Sequence, residues 1–267
     1  VFGTEMDSPR GRIALMHAAA HERIGSDAME VFQTHISRCL GCLACETACP
    51  SNVQYGRLLE SARQVQERQR TPGAGEMLLR YAGLRLLMPH PARLRTLARL
   101  LWLYERSGLQ WLVRTSHVLR LLPRPVQVME SLLPPIVPHS PPQSTLIPAL
   151  GPRQGAVAFF TGCIQDAMLA PVNAATIAVL RRNGYDVHIP TGQTCCGAAH
   201  IHTGADEQAR ELASRNIAVF SALLQQTEMT AIVCNAGGCG LILKEYAHML
   251  RDDPVYAERA RQVVATL

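Results

Sequence analysis

The sequence predicts an α + α/β fold, in which a helical amino-terminal half is followed by an α/β carboxyl-terminal domain. Three observations support this prediction. Apolar residues recur at helical spacing over much of residues 8–122. From residue 156 onward, short apolar runs alternate with amphipathic stretches, which is typical of βαβ units and a parallel sheet. Between the two patterns, residues 123–152 contain nine prolines.

The helical half has a clear predicted start. Ser8 is a favoured N-cap residue and Pro9 suits the first helical position, so a helix is predicted from Pro9 onward. Helical spacing predicts further helices over residues 26–37, about 57–70 and, broken by Pro89 and Pro91, 76–122.

The α/β half is predicted from three short apolar strands, over residues 156–160, 185–189 and 231–234. The helices predicted to connect and follow them cover residues 170–183, about 205–225 and 241–250. The first of these helices should stop at Asn183-Gly184, because glycine after asparagine favours a helix end.

These patterns divide the chain into four predicted segments. They are a helical module (1–70), arginine-rich amphipathic helices (71–122), a proline-rich linker (123–152) and an α/β domain (153–267). The linker is expected to be extended and to have no core of its own.

The composition favours a protein of a reducing compartment. Nine cysteines, most of them clustered, indicate metal ligation rather than disulfides, and we expect a cytoplasmic location. No targeting segment or membrane-spanning run is visible.

Residues 57–150 hold 13 arginines against five glutamates and no aspartate. Their helices are expected to pack on the rest of the protein; the alternative is peripheral docking at the inner face of the cytoplasmic membrane or on a partner subunit. No nucleic-acid motif is present, and we expect no nucleic-acid partner.

Cys39, Cys42, Cys45 and Cys49 form the most specific motif of the chain. Three cysteines at two-residue intervals can hold three corners of an iron–sulfur cube, and a fourth followed by proline serves the second cube of two-cluster bacterial ferredoxins. Zinc sites usually pair two CxxC units across a longer spacer, and no such partner lies nearby. The run therefore predicts a helical ferredoxin-type module that binds [4Fe–4S] clusters.

The ferredoxin run lacks a second copy in this sequence. Its first three cysteines need a fourth ligand and Cys49 needs three companions, yet residues 1–38 contain no cysteine. The chain also begins at Val1 rather than at a methionine. We therefore expect an internal fragment of a longer protein.

Four further cysteines, Cys163, Cys195, Cys196 and Cys239, follow the predicted strands. Because the carboxyl ends of parallel strands share one edge of a sheet, where open α/β folds bind ligands, these residues are expected to converge. Neighbours in an extended strand point to opposite sides, so Cys195 and Cys196 need a tight turn, which Gly197 permits. A metal site is predicted, with buried structural cysteines as the alternative.

Three other residues near this edge keep open roles. Cys234 ends its strand and suits the core as well as ligation. His200 and His202 follow the double cysteine, where histidine can ligate a metal, carry protons or form structural hydrogen bonds. Close approach of the backbone to a bulky cluster is predicted at Gly162, Gly237, Gly238 and Gly240.

These motifs resemble those of the iron–sulfur subunit of glycolate oxidase (glycolate dehydrogenase), within a wider group that has cysteine-rich CCG domains and includes heterodisulfide reductase subunits. The similar segments are residues 7–12, 39–51, 160–163, 194–197 with His200, and 238–246. The family has two ferredoxin motifs and commonly two CCG repeats, whereas this chain has one of each.

The resemblance implies an iron–sulfur electron-transfer subunit of a flavin-dependent 2-hydroxy acid (glycolate) dehydrogenase. Such a subunit takes electrons from flavin-containing dehydrogenase subunits and passes them to a quinone or another acceptor. The resemblance further implies [4Fe–4S] clusters, with a non-cubane iron–sulfur cluster or zinc in the CCG domain. No flavin or nicotinamide fingerprint is visible, so no catalytic residue is assigned here.

Two alternatives stay open. One is a zinc- or thiol-based module with a structural or docking role. The other is a disulfide-reductase-type subunit of the heterodisulfide reductase branch.

Overall fold

The computed structural model describes residues 3–21, 26–69, 73–137 and 145–267. The chain divides into two compact units. The helical unit spans Val1–Ala74 and Ala199–Ala209, and the sheet unit spans Gly75–Ala198 and Arg210–Leu267. The predicted combination of helical segments with a sheet-containing domain is confirmed.

The helical unit begins with a 3-10 turn, Glu5–Asp7, which is followed by α1 (Pro9–Ala20), α2 (Ser26–Ser37), α3 (Ala44–Thr47) and α4 (Tyr55–Gln69). The predicted N-cap is confirmed, since Gly11 N donates a 3.0 Å hydrogen bond to Ser8 Oγ. Only glycine fits at position 11, because a Cβ atom there would collide with the Glu5 carbonyl. The core of this unit consists of Phe32, Ile36, Tyr55, Leu59 and Ala62.

The arginine-rich segment is helical, as predicted. It contains α5 (Ala74–Arg80), a π-helical stretch (Tyr81–Leu87), α6 (Pro91–Arg106), α7 (Leu109–Thr115) and a 3-10 turn (Val118–Leu121).

The prediction of an extended linker over residues 123–152 is wrong in part. This segment contains α8 (Arg124–Ser131) and a short strand, and Ile136 is only 4% exposed, within an apolar core. Prolines at the N-cap and in the first turn allow α8 to form, because those positions need no backbone donor.

The sheet has four strands in the order β1-β3-β2-β4. They are β1 (Leu146–Ile147), β2 (Gly155–Phe160), β3 (Tyr185–His188) and β4 (Ala231–Cys234). The three predicted strands are confirmed as parallel neighbours, with Val157 opposite Val187 on one side and Ala231 on the other. The added β1 pairs antiparallel with β3, so the predicted all-parallel sheet is corrected to a mixed one. A two-residue strand gives no alternation that a sequence pattern could reveal.

Six helices follow in the carboxyl-terminal half. They are α9 (Cys163–Met168), α10 (Ala170–Arg182), α11 (Ala198–His202), α12 (Asp206–Gln226), α13 (Gly237–Met249) and α14 (Ala257–Ala265). The predicted end of α10 is confirmed by Asn183 at its C-cap and by Gly184 at φ +84°. However, α13 begins four residues earlier than predicted, which places Cys239 in its first turn. α14 was not predicted.

Candidate metal centres

Five cysteines of the sheet unit lie at or beyond the carboxyl ends of its parallel strands. Cys163 opens α9 just after β2, Cys195 and Cys196 follow β3, and Cys234 is the last residue of β4. The side chain of Gln193 joins two of these strand ends, because its Oε1 accepts from Thr161 N at 3.1 Å and its Nε2 donates to Phe159 O at 3.0 Å.

The five thiols form one linked series. The Cys163 thiol donates a hydrogen bond to Cys195 Sγ at 3.6 Å. The remaining thiols lie close enough to shift the pKa of their neighbours, from Cys195 to Cys196, from Cys196 to Cys239 and from Cys239 to Cys234. The structure thus brings together the four predicted cysteines of this half and adds Cys234, which sequence reasoning left open.

Interactions between neighbouring thiols, together with burial, raise the pKa of Cys163, Cys195, Cys196 and Cys239. The bond that Cys163 donates to Cys195, together with burial, raises the pKa of the Cys163 thiol far above its ordinary value. At the other end of the series the bond from Cys239 lowers the pKa of Cys234. Deprotonation is therefore easiest at Cys234. Because thiolates are the ligating form, metal binding here must release protons.

Two buried side chains hold the backbone of the Cys195-Cys196 turn. Asn216 Oδ1 accepts from Thr194 N at 2.9 Å, and its Nδ2 donates to Cys195 O at 3.0 Å. The Tyr246 hydroxyl donates to Cys196 O at 2.8 Å and accepts from Asn216 at 3.1 Å. Both residues are at most 1% exposed. We call Asn216 and Tyr246 the turn clamp.

Sequence reasoning missed the role of the turn clamp. In the sequence, Tyr246 is included only as the last residue of the similar segment 238–246. The sequence gives only a weak indication that Asn216 has a specific role. Asparagine is disfavoured inside helices because its side chain competes for backbone hydrogen bonds, so a buried asparagine within α12 points to a specific partner.

Gly197 has φ +89°, which allows the tight turn predicted after the double cysteine. Gly162 has φ +69°, and a Cβ on it would lie 3.8 Å from Cys239 Sγ, an ordinary contact distance. At Gly237, Gly238 and Gly240, which form the first turn of α13, a Cβ would meet no protein atom within 4 Å. Close approach of the backbone to a cluster at these four glycines stays a prediction.

Helix α6 covers part of the cysteine series. Its residues Leu94 and Ala98 share an apolar cluster with Cys163 and Cys195, and Trp102 packs at the edge of that cluster. The expectation that the arginine-rich helices pack on the protein is therefore confirmed for this face of α6. Arg95 on the same helix pairs with the buried Asp166 of α9 at 2.8 Å.

In the helical unit, Cys39 and Cys42 lie in the loop between α2 and α3, and Cys45 lies in the first turn of α3. Gly41 (φ +69°) and Leu43 (φ +53°) turn this loop in the left-handed region. Burial, followed by the nearby thiols of Cys39 and Cys42, raises the pKa of Cys45. These three thiols therefore lie within electrostatic reach of one another.

Cys49 lies in the turn after α3, where its carbonyl accepts from Asn52 N at 3.1 Å. Within the described ranges, no hydrogen bond joins its Sγ to the other three thiols of the run. This position is compatible with the prediction that Cys49 serves a different cluster, which stays a prediction.

Two side chains of α4 support Cys39. The Tyr55 hydroxyl donates to Cys39 Sγ at 3.5 Å, and Arg63 Nη2 donates to Cys39 O at 2.6 Å. Arg63 Nη1 also donates to His202 Nδ1 at 3.2 Å. His202 therefore acts as an acceptor for arginine, and burial, followed by the Arg63 charge, lowers its pKa. His200 is fully buried in α11.

The donor sets fit thiolate-bound soft metals. Within residues 3–21, 26–69, 73–137 and 145–267, no group of three or more His, Cys, Asp or Glu side chains is arranged to hold one metal ion. The chemistry of the sheet-unit series is nevertheless uniform, because all five donors are sulfur. Sulfur donors favour zinc, Cu(I) and iron–sulfur clusters.

The fold and the cysteine series define a class of protein. Residues 157–244 match the family model of the cysteine-rich domain named CCG. Residues 75–133 match the model described as the linker region of the glycolate oxidase iron–sulfur subunit. The chain is therefore similar to the linker region of the glycolate oxidase iron–sulfur subunit over one segment and to a cysteine-rich domain over the next, and the resemblance inferred from the motifs is confirmed.

Curated relatives extend this likeness along 98% of the chain. It is 45% identical to the probable glycolate oxidase iron–sulfur subunit of Bacillus subtilis (strain 168) and 35% identical to the glycolate oxidase iron–sulfur subunit of Escherichia coli (strain K12). The chain spans 58% of the length of each. Lactate utilization protein A of Exiguobacterium sp. is 34% identical over 104 residues, which are 39% of this chain and 41% of that protein. No solved structure matches the chain significantly.

Proposed function

We propose that this chain is part of the iron–sulfur electron-transfer subunit of a flavin-dependent 2-hydroxy acid dehydrogenase, with glycolate as the substrate of the complex. The convergence of Cys163, Cys195, Cys196, Cys239 and Cys234 in one linked series carries the proposal. The names of the relatives, glycolate oxidase iron–sulfur subunits and lactate utilization protein A, support the same class.

Two groups of cysteines would hold the cofactors. In the helical unit, which we propose to be a ferredoxin-type module, Cys39, Cys42 and Cys45 would hold one [4Fe–4S] cluster and Cys49 would serve another. The sheet-unit series would hold a non-cubane iron–sulfur cluster. Iron–sulfur clusters supply one-electron transfer when they are bound. The surrounding residues exclude water, fix the Cys195-Cys196 turn and bring a hydrogen-bond donor to Cys39 Sγ.

The proposed route of the electrons needs partners on other chains. Oxidation of a 2-hydroxy acid requires a hydride acceptor, and this is the work of a flavin rather than of a cluster. We therefore place the substrate on a flavin-containing partner subunit and a quinone, or another acceptor, at the far end of the route.

Peripheral membrane contact is a further part of the proposal. Leu100, Leu103 and Trp111 are 60%, 56% and 69% exposed on helices that also present arginines. Such a basic amphipathic surface suits anionic lipid headgroups at the inner face of the cytoplasmic membrane. No helix in the described part of the chain has the length and apolar character needed to cross a bilayer. Sedimentation with phosphatidylserine-containing vesicles at low salt, and release at high salt, would support the contact; equal sedimentation with pure phosphatidylcholine vesicles would exclude it.

The deciding experiment is a metal and sulfide analysis of the anaerobically prepared chain. We expect iron and acid-labile sulfide in comparable amounts, and electron paramagnetic resonance signals that change on addition of dithionite. Cys→Ser variants of each cysteine group should remove separate parts of these signals.

Other results would identify the alternatives. Zinc without sulfide would make the sheet unit a structural or docking module. Disulfide-reductase turnover in the intact complex would instead support the heterodisulfide reductase branch. A chain that binds neither metal under these conditions would contradict the proposal for both cysteine groups.

A further inference from the structure

Two donors from α4 surround Cys39, and the proposed function gives neither of them a role in setting the properties of a cluster. The Tyr55 hydroxyl donates to Cys39 Sγ at 3.5 Å. Arg63 lies on the same helix two turns later, and its Nη2 donates to Cys39 O at 2.6 Å. A hydroxyl donor to sulfur and a guanidinium charge therefore converge on one residue of the cysteine run.

Both side chains are held firmly enough to act on their neighbour. Tyr55 is 3% exposed within the core that contains Phe32, Ile36 and Leu59, so its ring has no freedom to turn the hydroxyl elsewhere. Arg63 is fixed at both ends of its guanidinium, because Nη1 donates to His202 Nδ1 at 3.2 Å. His202 keeps the guanidinium aligned with Cys39 O and does not itself need to ligate a metal.

We infer that Tyr55 and Arg63 are positioning residues that raise the reduction potential of the cluster held by Cys39, Cys42 and Cys45. The inference rests on the proposed function, because it requires a cluster on these thiolates. Hydrogen bonds to the sulfurs and nearby positive charge are the terms through which a protein tunes such potentials.

The physical reason is the change of charge on reduction. One electron arrives, from dithionite in the experiment or from a reduced flavin in the proposed complex, and adds one negative charge to the thiolate-bound group. The Tyr55 hydroxyl and the Arg63 guanidinium stabilise the more negative state, and neither gains or loses a proton. The burial of Tyr55 strengthens its interaction, because the surrounding medium screens it weakly, whereas Arg63 is only partly buried and is screened more.

Tyr55→Phe tests the first donor. This substitution keeps the buried ring and removes only the hydroxyl group. In an anaerobic redox titration followed by electron paramagnetic resonance, we expect the ratio of reduced to oxidised cluster at a fixed potential to fall about tenfold, which corresponds to 59 mV for a one-electron couple. The signal of this cluster is identified as the one that Cys42→Ser removes. Tyr104→Phe is the matched control, because the Tyr104 hydroxyl donates to Glu130 instead of a thiol.

Arg63→Met and Arg63→Lys test the second donor. Methionine removes the charge and should lower the potential. Lysine keeps a charge, so it should restore part of the potential even though it cannot bond both Cys39 O and His202 Nδ1.

The failures of the two proposals are distinguishable. If the unsubstituted chain binds no cluster at Cys39, Cys42 and Cys45, the proposed function fails for this unit. If the cluster is present and the potential of Tyr55→Phe and Arg63→Met is unchanged, the inference fails and the proposed function stands. A third outcome would also overturn the inference. If Tyr55→Phe loses its iron and the reduction potential in Arg63→Met is unchanged, Tyr55 has only a structural role.

Discussion

The two cysteine groups of this protein are assembled in opposite ways. In the helical unit, Cys39, Cys42 and Cys45 come from one short segment, the loop before α3 and its first turn, and stay partly accessible to solvent. In the sheet unit, Cys163, Cys195 and Cys196 are buried, and the series is assembled from segments that are far apart in sequence. The first group therefore depends on local spacing, whereas the second exists only once the sheet has formed.

The side chains that hold the backbone at the two cysteine groups also differ, since one set is neutral and the other is charged. The backbone of the Cys195-Cys196 turn is held by neutral hydrogen bonds from the turn clamp of Asn216 and Tyr246. The residue that opens the ferredoxin-type run, Cys39, is held by a charged side chain, Arg63. The comparison predicts that substitutions in the sheet unit affect folding as well as cofactor content, whereas those in the helical loop affect mainly the cofactor.

The largest expected effect comes from removing a ligand in each unit. Cys195→Ser should abolish the iron and the signal of the sheet unit, and Cys42→Ser should abolish those of the helical unit, each leaving the other signal in place. Iron analysis with electron paramagnetic resonance measures both. Cys234→Ser should also reduce the sheet-unit iron if this thiol ligates as the linked series indicates. Full iron content in Cys234→Ser would show that Cys234 is a core residue and not a ligand. Loss of both signals in Cys195→Ser or in Cys42→Ser would show that the two cysteine groups are not independent.

A smaller effect is expected from the turn clamp. Tyr246→Phe leaves Cys196 O without its buried donor, which should lower the free energy of unfolding by about 1–3 kcal/mol. Asn216→Ala should cost more, because Thr194 N and Cys195 O both lose their partner. Denaturant unfolding followed by tryptophan fluorescence is a suitable measurement, since Trp102 packs against the apolar cluster that contains Cys163 and Cys195.

Asn183→Ala is the matched control for the clamp. Asn183 is exposed and bonds only within its own helix end, so its loss should change stability by less than about 0.5 kcal/mol. Equal destabilisation by Asn183→Ala and Asn216→Ala would show that the turn clamp has no special role.

The comparison also explains what could be predicted from sequence. The run of Cys39, Cys42, Cys45 and Cys49 is local, so spacing alone was enough to predict a site there, and that site stays a prediction. The strands were predicted because β2, β3 and β4 are short apolar runs, and their shared edge then predicted the approach of Cys163, Cys195, Cys196 and Cys239. Strand pairing converts a local pattern into a long-range contact.

Other features depend on partners that a sequence pattern does not show. Proline content predicted an extended segment where α8 forms, because proline also suits a helix start. Cys234 stayed open because the end of a strand suits a core residue and a ligand equally. The roles of Asn216, Tyr246, Tyr55 and Arg63 arise from contacts with residues distant in the chain, and no spacing encodes them.

The smallest expected effect is a loss of stability of the helical unit at acid pH. It tests whether the charged interactions of Asp7 stabilise this unit, in contrast to the neutral hydrogen bonds of the turn clamp. The Asp7 side chain is 6% exposed in the helical unit, where it pairs with His35, Arg12 and Arg38 at 2.9–3.3 Å. The hydrogen bond from His35, opposed by burial, together with the one from Thr4, lowers the pKa of Asp7 to about 2. A carboxylate whose pKa is depressed on folding stabilises the native state above its unfolded pKa and loses that contribution as the pH falls through its folded pKa. The window here runs from 3.8 down to about 2.

We therefore expect Asp7→Asn to accelerate amide hydrogen exchange in α1 at pH 6. Exchange of wild type and variant should then converge as the pH is lowered through this window, because the wild-type residue becomes neutral as well. The exposed Asp252→Asn is the control, since its side chain is 72% exposed and should protect no helix. If the difference between Asp7→Asn and wild type were as large at pH 2 as at pH 6, the ion pairs of Asp7 would not be its cause. In that case the helical unit, like the turn of the sheet unit, would depend on neutral hydrogen bonds and packing.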